Sequence, residues 1–145
     1  MAAESFQLTI VSPEGLMYSD TVTMLILKGA DGELGIAPGH TQLLTSVVPG
    51  ALRILAAEQE NEELFYVSGG ILEVQPHEVS ILADTVERPQ DVNESAAIEA
   101  KTAAEQIIKD KKLGSESYKK THTDLAEALA KLKVLELMRA RKRRR

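Results

Sequence analysis

Hydrophobic positions recur with two different periods along the chain, and the change falls at Pro89. Before it, apolar and polar residues alternate in short runs that stop at turn-forming residues. Phe6-Gln7-Leu8-Thr9-Ile10 halts at Ser12-Pro13, Val22 to Leu27 at Lys28-Gly29, and Leu43 to Val48 at Pro49-Gly50. Ala51 to Leu55 follows. Leu64 to Val67 ends at Ser68-Gly69-Gly70, Ile71 to Val74 at Gln75-Pro76, and Val79 to Leu82 at Ala83-Asp84. Alternation sends successive side chains to opposite faces of a strand, and Gly and Pro supply the reversals. Seven or more such runs predict an antiparallel β-sandwich of about ten short strands over residues 1–88.

After Pro89 there is one glycine and no proline, and Ala, Glu, Lys and Leu dominate. That composition favours helix. One helix is predicted from about Asp91 to Lys112, with Asn93 positioned to cap its free N–H groups and Gly114-Ser115 to end it. A second is predicted from about Ser117 to Met138. Its apolar residues Tyr118, Leu125, Ala128, Leu129, Leu132, Leu135 and Met138 fall largely at steps of three and four, on one face. The chain therefore divides into a sandwich (1–88) and an antiparallel two-helix hairpin (89–145). The first helix turns mostly small residues to its partner: Ala96, Ala97, Ala100, Ala103 and Ala104, with Ile98, Ile107 and Ile108. At about 25 cal/mol per Å² of buried apolar surface, an Ala-faced hairpin gains little by docking. The expectation is a hairpin that is lightly held and can leave its resting place; the alternative is one that stays packed.

Charge sharpens this division. Residues 1–88 carry 13 acids and 3 bases, a net of −10, and residues 89–138 are nearly balanced at −1. The last seven residues, Arg139 to Arg145, carry six bases and no acid. An acidic body with a basic tip seeks an acidic partner, over a range that screening limits to about 10 Å. The acidic body argues against nucleic acid, as does the near absence of aromatics: Phe6, Tyr18, Phe65, Tyr66 and Tyr118 are the full set. With no cysteine there is neither a disulfide nor a thiolate metal site. Nothing at the start of the sequence resembles a secretory leader, and no apolar run matches a bilayer span. A cytosolic protein that meets a membrane only through a partner is expected.

No catalytic constellation emerges. His40, His77 and His122 do not pair at metal-binding spacing; His40 and His77 belong to turns and His122 to the polar flank of the second helix. Glu58, Glu60, Glu62 and Glu63 lie beside Gln59 and Asn61, as in a solvated hairpin tip rather than a catalytic pair. Ser68-Gly69-Gly70 lacks the preceding glycine of a nucleophile elbow, because Tyr66 stands there. Gly29, Gly32 and Gly35 precede no helix and form no phosphate cradle. A non-catalytic protein without metal or cofactor is expected.

Two longer motifs are more specific. Gly32-Glu33-Leu34-Gly35-Ile36-Ala37-Pro38-Gly39-His40 followed by Leu43-Leu44-Thr45, and Tyr66 to Val74 followed by Ile81-Leu82-Ala83-Asp84, resemble the signatures of ATP synthase epsilon subunits. The resemblance covers nearly the whole chain, including the order of sandwich and hairpin. It implies a peripheral central-stalk subunit of an F-type, proton-translocating ATP synthase, on the cytoplasmic side of a bacterial plasma membrane. The implied partners are the gamma-subunit shaft, the ring of c subunits, and the alpha and beta subunits of the catalytic head. The family's ring contact corresponds to the loop holding Asp31, Gly32 and Glu33, and its shaft contact to the surroundings of His40. In this family the hairpin has a compact and an extended form. The extended form runs beside the shaft and suppresses ATP hydrolysis. Arg139, Arg141, Lys142, Arg143, Arg144 and Arg145 correspond to the basic end that meets the head. Some members bind ATP at the hairpin through a motif with an Asp and a later Arg-Ala pair. Here Asn93 replaces the Asp and Ala96 the Arg, in Val92-Asn93-Glu94-Ser95-Ala96-Ala97. Without the guanidinium fork that grips phosphate, ATP binding is not expected. The alternative function is a structural rotor adaptor whose hairpin stays docked and does not inhibit.

Overall fold

A computed structural model describes residues 4–110 and 114–143. Nine strands are present among them, against the ten or so expected: β1 (Phe6–Ser12), β2 (Gly15–Gly29), β3 (Gly32–Ile36), β4 (Leu43–Val47), β5 (Gly50–Ala56), β6 (Glu63–Val67), β7 (Gly70–Val74), β8 (Glu78–Ala83) and β9 (Val86–Glu87). The long β2 organises them. Its first half pairs with β1, in one layer with β8, β7 and β4; its second half pairs with β3 and β5, in the other layer with β6 and β9. A register shift between Val22 and Met24 marks where β2 passes from one layer to the other. One pairing departs from the antiparallel expectation: β1 and β8 run parallel, Leu8 opposite Val79 and Ile10 opposite Ile81. The reversal between Ser12 and Gly15 makes β1 antiparallel to β2 on its other edge.

Alternation does what the sequence implies. Phe6, Leu8 and Ile10 of β1, Leu52 and Ile54 of β5, Leu72 and Val74 of β7, and Val79 and Ile81 of β8 interleave in one core with Leu25, Leu27, Ile36, Phe65 and Val67. The chain crosses between layers at short corners, and one of these demands glycine. Gly70 has φ +147°, and a Cβ there would lie 2.1 Å from the Leu82 carbonyl oxygen. Ser68-Gly69-Gly70 is thus the bend that lets β7 close against β8.

The helices differ from expectation at their ends. Pro89–Asp91 forms a 3-10 turn and Val92 is extended, so α1 spans Glu94–Lys109 rather than starting near Asp91. Asn93 caps it as predicted, its side-chain oxygen accepting from the Ala96 N–H at 3.0 Å. Lys111 and Lys112 lie outside the described residues. The second helix, α2, spans Ser115–Arg143 and continues past Met138 to take in most of the basic tip. Cations in a last helical turn face the negative end of the helix dipole, which favours this extension.

Candidate functional site

The two outer faces of the sandwich are unlike each other. On the layer built from β5 and β6, α2 lies across the sheet. Its footing is small: Val134 (0 % exposed) and Ala130 pack on Tyr66, flanked by Ala51 and Val92. Beside this footing a cleft of about 510 Å³ opens between Ile26, Ala51 and Arg53 of the sheet and Leu129, Lys133 and Leu137 of α2. Burial raises the Tyr66 hydroxyl pKa, helped by the nearby negative charges of Glu127 and Glu87. Lys131 stands over the Tyr66 ring at 5.2 Å and reaches Glu87 at 3.9 Å. Burial also pushes the Glu127 carboxyl above its usual range, with Asp124 and Asp84 adding to the effect and Lys131 opposing it.

Between the helices, α1 buries little more than Ala97 and Ala104. Ile98 and Ile107, assigned to the packed face in the sequence, are 48 % and 42 % exposed. Ala100 and Ala103 line an open cleft of about 400 Å³ that faces Thr121, Asp124 and Ala128 of α2. Ala96, where the ATP-binding motif of related chains has an Arg, lies on the same cleft, and Asn93 is occupied in capping α1.

On the other layer, outward-pointing apolar residues form a row across neighbouring strands. Ile71 of β7 pairs with Leu82 of β8, Leu82 with Val11 of β1, and Val11 with Leu16 of β2. Leu16, Leu82, Ile71 and the nearby Leu44 are 65 %, 58 %, 48 % and 72 % exposed. An apolar row this continuous on a strand face is a feature of interaction surfaces. Sequence reasoning assigned no role to these residues, although their out-of-phase positions beside core residues (Leu44 after Leu43, Leu82 after Ile81) were the available signal. His40 belongs to the loop leading to this layer. The Gly39 N–H bonds the Pro76 carbonyl at 3.1 Å, and the His40 Nδ1 lies 2.6 Å from the Thr41 carbonyl oxygen.

Ala30 and Asp31 form the tight turn between β2 and β3, Gly32 opens β3 opposite Gly29, and Glu33 follows opposite Lys28. Asp31, Gly32 and Glu33 are exposed, and Glu33 also lines the cleft that Lys133 and Leu137 of α2 close from the other side. At that end, Arg139 forks onto Glu94 at 2.6 and 2.9 Å, clasping the last turns of α2 to the first turn of α1. The guanidinium holds the Glu94 carboxyl below its usual range. Arg141 donates to the Glu62 backbone carbonyl, while Arg53 holds the Glu62 carboxylate at 2.9 and 3.2 Å. Lys142 and Arg143 are exposed, and Arg144 and Arg145 lie outside the described residues. Among the described residues no group of His, Asp or Glu is arranged to hold a metal ion, and no helix is long and apolar enough to cross a membrane.

The molecule is thus a two-layer sandwich with an exposed apolar row on one face and a helical hairpin seated on the other. Comparison with known proteins gives it a family. Residues 5–89 match the model of the ATP synthase delta/epsilon chain β-sandwich domain. An ATP synthase epsilon chain from Halorhodospira halophila is 46 % identical over 140 residues, 97 % of this chain and 99 % of that one. The fold recurs in a chain of the Euglena gracilis mitochondrial ATP synthase solved with OSCP, F1 and c-ring (TM-score 0.67, 17 % identity, 94 % of this chain and 80 % of that one). It recurs again in the central stalk and c-ring structure of the Tetrahymena thermophila mitochondrial enzyme (TM-score 0.66, 16 % identity, 93 % and 99 %). The chain belongs to the ATP synthase epsilon chain family.

Proposed function

We propose that the sandwich is a non-catalytic anchor coupling a rotor shaft to a membrane ring, and that the hairpin is a mobile brake on ATP hydrolysis. The observation that carries this is the contrast in packing: a continuous sandwich core against a hairpin seated on Val134, Ala130 and Tyr66 beside open clefts. A module held this lightly can leave its seat while its support stays folded. The row Ile71–Leu82–Val11–Leu16, with Leu44 and the His40 loop, supplies the face for a gamma-type shaft. The turn at Asp31, Gly32 and Glu33 supplies an exposed contact for the c ring. Arg139, Arg141, Lys142 and Arg143, with Arg144 and Arg145, supply the cationic end for an acidic surface of the alpha and beta subunits. The 46 % identical relative named as an epsilon chain, and solved neighbours described as F1, c-ring and central-stalk assemblies, support these partners and a peripheral place at the membrane.

Replacing Arg141 to Arg145 with Ala should relieve inhibition of hydrolysis by catalytic heads and leave assembly intact; inhibition equal to wild type would refute the role given to the basic end, and a wild-type protein that does not slow hydrolysis would refute the brake. Charge reversal, Glu33→Lys, should uncouple the ring more than it alters hydrolysis by the head. The docked hairpin, with Arg139 and Arg141 engaged within the chain, also suits an adaptor that never inhibits. In that case neither wild-type nor variant protein slows hydrolysis.

A further inference from the structure

The acidic turn between β5 and β6 has no role in anchoring or braking as described so far. It runs from Ala57 to Glu62, carries Glu58, Glu60 and Glu62, and is followed by Glu63 at the start of β6. In the sequence it passes for a solvated tip. In the structure the basic end of α2 is seated on it: Arg141 donates to the Glu62 carbonyl, and Ala140 and Arg141 share one cavity of about 330 Å³ with Glu60, Asn61 and Glu62. The seat is itself braced, because Arg53 forks onto the Glu62 carboxylate and fixes the backbone that Arg141 reaches. Two residues earlier in α2, Arg139 is held by Glu94. Two of the guanidinium groups that would meet an acidic surface on another subunit, those of Arg139 and Arg141, are thus already bonded inside the chain.

We propose that the β5–β6 turn is an intramolecular acidic decoy: it holds the basic end of α2 in cis and competes with the acidic surface of the catalytic head for the same arginines. This rests on the reading of α2 as the brake. Occupancy of the two seats is mutually exclusive for Arg141, since its fork cannot serve the Glu62 carbonyl and a distant carboxylate at once. Exposed charges of this kind hold modestly and give way to salt. That suits a catch that must open, and it sets how often the end of α2 is free.

The chain has no native cysteine, so Asn61→Cys and Ala140→Cys place the only two thiols on the two walls of the shared cavity. The rate at which a short bis-maleimide bridges them in the full-length protein reports how often the seat is occupied. Substituting Glu58, Glu60 and Glu62 together with Gln removes the turn's negative charge and weakens the Arg53 brace on Glu62, and should slow bridging about fivefold. Raising the salt should slow bridging in the unsubstituted turn as well, a control that requires no change in the loop. The same triple-Gln chain, without the thiols, should inhibit stripped catalytic heads at a correspondingly lower concentration. Equal bridging rates with and without the glutamates would overturn the proposal, and so would slower bridging with unchanged potency. If wild-type protein fails to slow hydrolysis at all, the brake reading falls, while the bridging rates still decide whether the turn seats α2.

Discussion

Two halves of one chain are held by very different amounts of apolar contact. In the sandwich, Leu8, Ile10, Leu25, Leu52, Ile54, Leu72 and Ile81 are all fully buried in a single cluster. Under the hairpin, Val134 and Ala130 meet Tyr66, and the helices otherwise bury Ala97, Ala104, Ala128, Thr121 and Leu135. A buried Leu or Ile contributes roughly 1.5–3 kcal/mol, and an alanine methyl far less. The sandwich is therefore folded by its core, whereas the hairpin is placed by a few contacts and some exposed charge pairs. The comparison teaches that apolar burial is concentrated in the sandwich and thin under the hairpin, the contrast on which the proposed brake rests.

The comparison can be broken most violently from the sandwich side. Gly70→Ala sets a methyl into the Leu82 backbone at a φ that side chains avoid, and should cost about 3 kcal/mol or more. Denaturant unfolding of the sandwich would register that loss. Val134→Ala should act locally, lowering hairpin docking by about 1–2 kcal/mol with the sandwich transition unmoved. Faster amide exchange in α2 alone is the signature.

Charge changes should be smaller and should carry opposite pH signs. Burial raises the Glu127 pKa, so the ionised carboxylate opposes docking at neutral pH. That penalty fades as pH falls through the raised value. Glu127→Gln should slow exchange in α2 at neutral pH and remove this gain on acidification. Glu94 behaves in reverse: its depressed pKa adds to docking at neutral pH, and the contribution is lost as pH falls through the depressed value. Arg139→Gln, the mildest change, should loosen the hairpin in low salt and do nothing in high salt, as read by amide exchange at both ionic strengths.

The fold was largely legible in the sequence because period-two alternation and Gly or Pro corners are local signals. The strands that escaped show where such signals stop. β3 (Gly32–Ile36) is rich in glycine and passed for a loop, and β9 (Val86–Glu87) is too short to alternate. Tyr18 and its neighbours extend β2 back to Gly15, yet the segment from Gly15 to Thr21 does not alternate between buried and exposed positions, so it lacked the periodic signal. The face of α2 that meets the sheet was missed for another reason. Ala126, Ala130, Val134 and Leu137 form a second stripe beside the leucine-rich one, and its mostly small residues add little to the helical period that the leucines dominate. The exposed apolar row Ile71–Leu82–Val11–Leu16 depends on pairings between strands distant in sequence, which no local pattern encodes. Nor did the sequence reveal that Arg139 and Arg141 are already occupied, since Glu94 and Glu62 lie 45 and 79 residues away.

The central claim is that the hairpin must leave the sandwich in order to act. Bridging Asn61→Cys to Ala140→Cys with a short bis-maleimide fixes the end of α2 in its seat in the full-length chain. The direct measurement is the rate of ATP hydrolysis by stripped catalytic heads given the bridged or the unbridged protein, with binding to the heads monitored in parallel. Binding by both forms and slowing by the unbridged form alone is the predicted result. Equal slowing by the bridged protein would contradict it, because a hairpin fixed on its own sandwich would then be as good a brake as a free one.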